Sequence, residues 1–316
     1  MAKKQSYPEL NHFNAVACLF VVLIHVLSVA ISSLDPSSGQ AAVVFLPWKL
    51  AAYVVPGFLF SGAVKMALGF ASNDRPLTLQ GYLKYVLRRV QKIYLPYVAW
   101  VGVYYLYFLR LGWVEAGIDV FLEYVFLGSL SSPFYYVVTV MQFYLLMPLW
   151  RWMVRRIPFV VGILVAGMVT FGMLYADGIL AQMGLSFAWR DRVFPSYLLF
   201  WVLGLYVGRH YDAVRNLLTE HIRSVMAMLM PILLYAVGML VQYARGVWMF
   251  DGNVIKMFSD CMTILVVLTA CIWFCDHERE SAVLRFLAKP LGFIYAASFT
   301  VYLSHCLFLQ IIIGKN

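Results

Sequence analysis

Apolar runs long enough to cross a bilayer recur from one end of the chain to the other, broken only by short polar or basic stretches. They predict spans at about Phe13–Ile31, Val43–Phe70, Ile93–Leu111, Phe134–Trp152, Phe159–Tyr175, Phe194–Val207, Val225–Tyr243, Val254–Phe274 and Leu291–Ile313. The expected fold is all-α: a polytopic transmembrane helical bundle of about nine spans, forming a single domain over residues 1–316. No interruption is long enough to hold a soluble domain, and no internal repeat is present.

The polar interruptions orient the bundle. Basic residues collect at Lys84–Lys92, Arg151–Arg156, Arg209–Arg223 and within Asp276–Lys289, which places those segments and the N-terminus in the cytoplasm by the positive-inside tendency. Lys3 and Lys4 ahead of the first run imitate a signal peptide, but the run is too long and has no small-residue cleavage site, so it is expected to stay as a span. Ser32–Gln40, Gly112–Pro133 and Ala176–Val193 then face outward. The second of these carries Glu115, Asp119 and Glu123 at i, i+4, i+8 beside Trp113, Phe121 and Tyr124, a pattern that predicts an interfacial helix on the outer side. Carboxylates and aromatic rings together suit a sugar, so Asp119 and Glu123 are candidate acceptor-side residues, although a solvated amphipathic face gives the same pattern.

Composition agrees with this reading. Apolar residues are 63% of the chain and charged residues 12%, a balance that excludes a water-soluble domain. The net charge of +9 would raise nucleic acid as a partner in a soluble protein; here topology accounts for it, and the bilayer is the partner. The five cysteines lie in apolar spans without metal-ligand spacing, so neither a metal site nor a disulfide is expected, nor any tightly bound cofactor.

Two histidines carry the chemistry. His25 stands about 18 Å into the first span at 1.5 Å per residue, and an ionisable residue at that depth faces a cavity or a partner. His305 stands about 21 Å into the last span, which starts from the same side, so the two belong to nearly the same layer. Asn14, Cys18, Val21 and His25 share one helix face, as do Ser298, Tyr302 and His305. Arg88, Arg89 and Lys92 are candidates for binding the phosphates of a CoA-type donor, although any cytoplasmic loop would carry such charges.

Five segments, in order, resemble the acyltransferase-3 family of bacterial integral-membrane acyltransferases, whose members acylate exported glycans. They are Asn14–His25, Val55–Leu68 with Ser61-Gly62, Arg88–Trp100, Ser132–Leu149 and Ala297–His305. The resemblance implies O-acyl transfer, with acetyl as the expected group, from acyl-CoA in the cytosol to a hydroxyl of a cell-surface glycan or lipid-linked sugar at the bacterial inner membrane. It implies His25 as the catalytic base or transient acyl carrier, Arg88, Arg89 and Lys92 at the donor, and Asn14, Ser61, Tyr302 and His305 as supporting polar residues. Asn14 stands where the family has a basic residue, and the family core of ten spans implies one more span than the chain provides. The alternative is a transporter or flippase of a glycan intermediate, with His25 and His305 as a proton relay; it calls for carboxylates in the central thirds of spans, and none is there. A scaffold subunit would not need the aligned polar residues.

Overall fold

The structure, a computed structural model, describes residues 7–71 and 76–313; Lys3 and Lys4 lie outside them, as does the chain beyond residue 313. The described residues are helical, with turns and no strand.

In chain order the first helices are α1 (Pro8–Ser32), α2 (Gly39–Leu50) and α3 (Val54–Ala71). Pro8 opens α1 at a position where a missing N–H costs nothing, and Ser38 caps α2 by accepting the Ala41 amide at 3.0 Å. The expected second span is realised as Gly39–Phe70, with a 3₁₀ turn at Ala51–Tyr53. Pro56 has no N–H for the Ala52 carbonyl four residues earlier, and that carbonyl instead accepts a hydrogen bond from Lys256 at 3.3 Å.

Next come α4 (Leu79–Arg89) and α5 (Leu95–Arg110), joined without a break by a π-helical turn at Val90–Tyr94. Pro96 cannot donate to the Lys92 carbonyl, and the widened turn lies just before it. The helix expected on the outer side is present as α6 (Ile118–Leu127), but Glu115 precedes it, so the acidic stripe on the helix is Asp119 and Glu123 only. Gly128, at φ +63°, ends α6; a side chain there would meet the Phe134 backbone at 2.8 Å.

The single span expected at Phe134–Trp152 is instead α7 (Tyr135–Leu145) and α8 (Met147–Arg156), parted at Leu146 just ahead of Pro148. α6 and the Ser132–Leu145 segment meet at a 60° bend. α9 (Phe159–Gln182) outlasts its expected end at Tyr175 by seven residues, and α10 (Leu198–Arg209) is shorter than the expected span. The remaining helices are α11 (Tyr211–Glu220), α12 (Ile222–Ala227), α13 (Leu229–Arg245), α14 (Gly252–His277) and α15 (Ala282–Ile313).

Among the described residues, six helical stretches are long and apolar enough to cross a membrane, or seven if the bent pair counts as one span, against about nine expected. The difference lies in α5, α7 and α10. At 16, 11 and 12 residues these fall short of the roughly 20 needed: a π-helical turn precedes α5, a break at Leu146 ends α7, and a proline-bearing 3₁₀ turn precedes α10.

The chain divides into two compact units, Met1–Gly62 with His210–Tyr302, and Ala63–Arg209 with Leu303–Asn316, and the boundaries fall inside α3 and α15. In the first unit α14 packs against α1, α11, α12 and α13, and α2 packs against α1 and α13. Phe13, Tyr53 and Phe60 form its core, with Gly57 letting the Phe13 and Tyr53 rings approach to 3.3 Å of where a side chain would start. At one end of this unit, Glu9, 3% exposed, accepts a hydrogen bond from Tyr211 at 3.1 Å and pairs with Arg215, which also pairs with Asp276. A nearly buried carboxylate is tolerable only with such partners.

In the second unit α7 packs against α4, α6 and α8, and α10 packs against α8 and α9. α10 is buried along most of its length, with Trp201 stacked on Phe143 at 4.4 Å, so it acts as a core helix. Tyr97 ties α5 to the end of α6 by donating to the Val125 carbonyl at 3.0 Å.

Candidate active site

In the first unit the polar face of α1 is turned inward as its spacing implies. Cys18 and Val21 are buried, and the Cys18 thiol donates to the Ser298 carbonyl of α15 at 3.6 Å. The stripe on α1 thus meets the first member of the stripe on α15. Two turns beyond Cys18 on the same face, His25 is half-buried. Tyr302, 3% exposed, lies one turn beyond Ser298 and sets its ring edge-on to Phe58 of α3 at 6.0 Å.

Two polar atoms of the quoted motifs have no hydrogen-bond partner among the described residues: Asn14 Oδ1 and Ser61 Oγ, the latter fully buried. Buried polar atoms are nearly always paired, so an unpaired one inside a segment that resembles the family is informative. Asn14 offers a hydrogen-bonding group where the family carries a charge.

In the second unit His305 lies between Ser304 and Cys306, all three buried, with the Cys306 sulfur 3.4 Å from its Nε2. Its backbone is held by Tyr104 of α5. The Tyr104 hydroxyl donates to the Leu303 carbonyl at 3.0 Å and accepts from the Leu307 amide at 2.8 Å, the two groups that straddle His305. Phe134 packs against the Tyr104 ring at 4.8 Å and keeps it in place.

The same unit holds a cavity of about 440 Å³ among whose lining residues are Lys65, Thr78, Tyr85, Arg89, Met147 and Arg151. Lys65 comes from α3, Arg89 from the last turn of α4 and Arg151 from α8. The Arg89 guanidinium lies over two rings, Tyr144 at 4.3 Å and Tyr85 at 5.1 Å, a geometry that fixes a side chain otherwise rich in rotamers. Tyr82 pins α4 to the end of α7 by donating to the Leu145 carbonyl at 2.8 Å. Burial pushes the Tyr85 phenol up to about 12, with the Arg89 charge opposing, so it remains a neutral hydroxyl at physiological pH. Three cations around a volume of this size suit a phosphate-bearing ligand.

The basic triad expected at the donor is divided. Arg89 lines the cavity, whereas Arg88 and Lys92 are exposed and are not among its lining residues. Successive helix residues point about 100° apart, so Arg88 leaves α4 on a different side from Arg89. Lys65 and Arg151 line the cavity with Arg89. Lys65 stands four residues past Ser61 in a motif already singled out, and Arg151 belongs to a cluster read only as a topology marker.

Asp119 and Glu123 are exposed on α6. The aromatic residues beside them are engaged with α5: Phe121 packs on Tyr105 at 5.4 Å and Trp113 on Phe108 at 5.4 Å. The Tyr105 hydroxyl also holds the Gly117 amide at 2.9 Å, fixing the approach to the helix.

A family model described as an acyltransferase domain matches residues 7–315, essentially the whole chain. No curated protein and no solved structure matches it. The polar faces of α1 and α15, the basic cavity and a match of this extent agree with the segments quoted from the sequence, and the chain belongs to the acyltransferase-3 family of membrane acyltransferases.

Proposed function

We propose that the protein moves an acyl group, acetyl in the simplest case, from acyl-CoA on the cytosolic side of the bacterial inner membrane to a hydroxyl of an exported glycan. The observation that carries this reading is the cavity lined by Lys65, Arg89 and Arg151, whose three cations match the phosphates of a CoA donor. His25 supplies the base: a neutral imidazole takes the proton of the attacking hydroxyl, that oxygen forms a bond to the thioester carbonyl carbon, and the CoA thiolate leaves and takes up a proton. General-base assistance of this kind contributes typically about 10²–10⁴-fold in rate. In this reading Asn14, Ser61, Tyr302 and His305 hold and orient the reacting groups.

Purified protein incubated with labelled acetyl-CoA and a mixed glycan extract tests the reading. Release of free CoA thiol together with labelled glycan is expected, with a loss of at least about a hundredfold for His25→Ala. Glycan labelling that persists in that variant sinks the assignment of His25, and the absence of any CoA release sinks the donor.

A further inference from the structure

At the end of the first unit opposite Glu9 and Tyr211, three charged side chains lie together. Lys256 pairs with Asp260 one helical turn on, at 2.5 Å, and also donates to the Ala52 carbonyl freed by Pro56. The Asp260 side chain is 8% exposed and the Lys256 side chain 30%. Lys49 of α2 is half-buried, its ammonium 5.6 Å from the Tyr235 ring centre and 5.8 Å from that of Trp48. Lys256 and Asp260 both act on the Lys49 charge, the first against it and the second for it.

The charge does not balance. Two ammonium groups share one carboxylate, and that carboxylate is already committed to Lys256. A cation held away from water without its own counter-ion is costly, and the cost is greater within an apolar helical layer. Snorkelling would relieve it by carrying the amine out to water, yet Lys49 lies over ring faces instead. The rings are themselves fixed: Trp48 donates its indole N–H to Ser28 at 2.8 Å, and Phe45 packs on Trp48 at 5.5 Å while stacking on Tyr243 at 4.9 Å. The arrangement is a rigid aromatic platform with one unneutralised ammonium at its edge and a half-exposed second ammonium beside it.

We propose that this cluster binds the anionic group, a phosphate or a carboxylate, of a sugar, with Lys49 as its principal cation and the Trp48 ring covering the sugar's C–H face. The proposal deepens the acceptor side of the function above and rests on it, and it makes the acceptor a negatively charged glycan. The cluster lies at the end of the unit that carries the Ser33–Ser38 connection, the end opposite the Glu9 network and, in the proposed orientation, the outer one.

The test reads binding alone, with no donor present, so its result is separate from whether acyl transfer occurs. Protein in a neutral maltoside detergent is titrated with glucose 1-phosphate, glucuronate and glucose, and with short-chain phosphatidylglycerol to represent a lipid headgroup phosphate. The two anionic sugars are expected to bind, to bind at least about tenfold more weakly to Lys49→Met, and to recover with Lys49→Arg, whereas glucose shows no dependence on residue 49. Lys49→Gln serves in place of the methionine variant if the latter does not fold. Equal binding by the wild type and the neutral variant overturns the proposal, as does anionic-sugar binding no tighter than that of glucose. Dependence on Lys49 seen with phosphatidylglycerol alone also overturns it and makes the cluster a lipid contact. Absence of CoA release in the separate turnover assay removes the enzymatic reading and leaves the binding result standing.

Discussion

The Arg89 guanidinium lies 4.3 Å from the centre of the Tyr144 ring, so a residue at the break between α7 and α8 holds the cation of the α4 terminus over the basic cavity. Removing the cation removes the charge-assisted hydrogen bonds it would make to a phosphate, each worth about 1.5–3 kcal/mol. Calorimetric titration with CoA is expected to show binding weaker by roughly tenfold or more in Arg89→Ala. Arg89→Lys, which loses the planar fork, should recover little of it. Tyr144→Leu is expected to cost a few-fold and Tyr144→Phe almost nothing, since the ring face is what orients the guanidinium. A Tyr144→Phe variant as weak as Tyr144→Leu refutes the ring's role.

Tyr104→Phe tests how His305 is positioned. The ring remains packed on Phe134, but the hydroxyl between the Leu303 carbonyl and the Leu307 amide is gone. A loss of about 1 kcal/mol is expected, seen as a lower melting temperature in detergent, with a fall in turnover larger than the change in donor affinity. Turnover equal to wild type would show that the backbone around His305 keeps its geometry without Tyr104.

Gly208→Ala should compromise folding of the second unit. A methyl group on Gly208 would lie 2.5 Å from the Val64 carbonyl oxygen and 2.9 Å from its Cα, backbone atoms that cannot step aside. Gly172→Ala, where nothing lies within 4 Å, is the control and should be neutral or slightly stabilising through helix propensity. Fluorescence-detected size-exclusion profiles of the two variants compare them directly, and a monodisperse Gly208→Ala peak at wild-type yield contradicts the expectation.

The Ser33–Ser38 connection should loosen in acid. The Ser37 amide, at 2.9 Å, and then its hydroxyl, at 2.8 Å, hold the Asp35 carboxyl below the usual carboxylate range. A depressed folded value means that the contribution is complete above the unfolded carboxylate value of about 3.9 and is lost as pH falls through the folded one. Amide exchange at Ser37, referred to the intrinsic rate at each pH, should show constant protection from about pH 8 to 5 and a decline below about 4. Asp35→Ala should lack that protection throughout, and a profile flat to pH 3 in the wild type would contradict the assignment.

Hydrophobic pattern alone determined that this chain is an all-helical membrane protein, because long apolar runs have no other stable use and backbone polar groups in hydrocarbon must bond within a helix. Spacing also determined which faces of α1 and α15 carry the polar residues, since a period of 3.6 places Cys18 with His25, and Ser298 with Tyr302, wherever the helices lie. Tertiary structure decided the rest. Prolines at 56, 96 and 148 lie beside local departures from straight helices that an average over apolar residues does not register, so an expected span became two helices, α7 and α8, parted at Leu146. The basic cavity is assembled from α3, α4 and α8, residues distant in sequence, and that is why Arg89 was legible while Lys65 and Arg151 were not. Lys49, Lys256 and Asp260 are related only through the packing of α2 with the helices around it; a charge imbalance among groups some 200 residues apart exists only once the chain has folded.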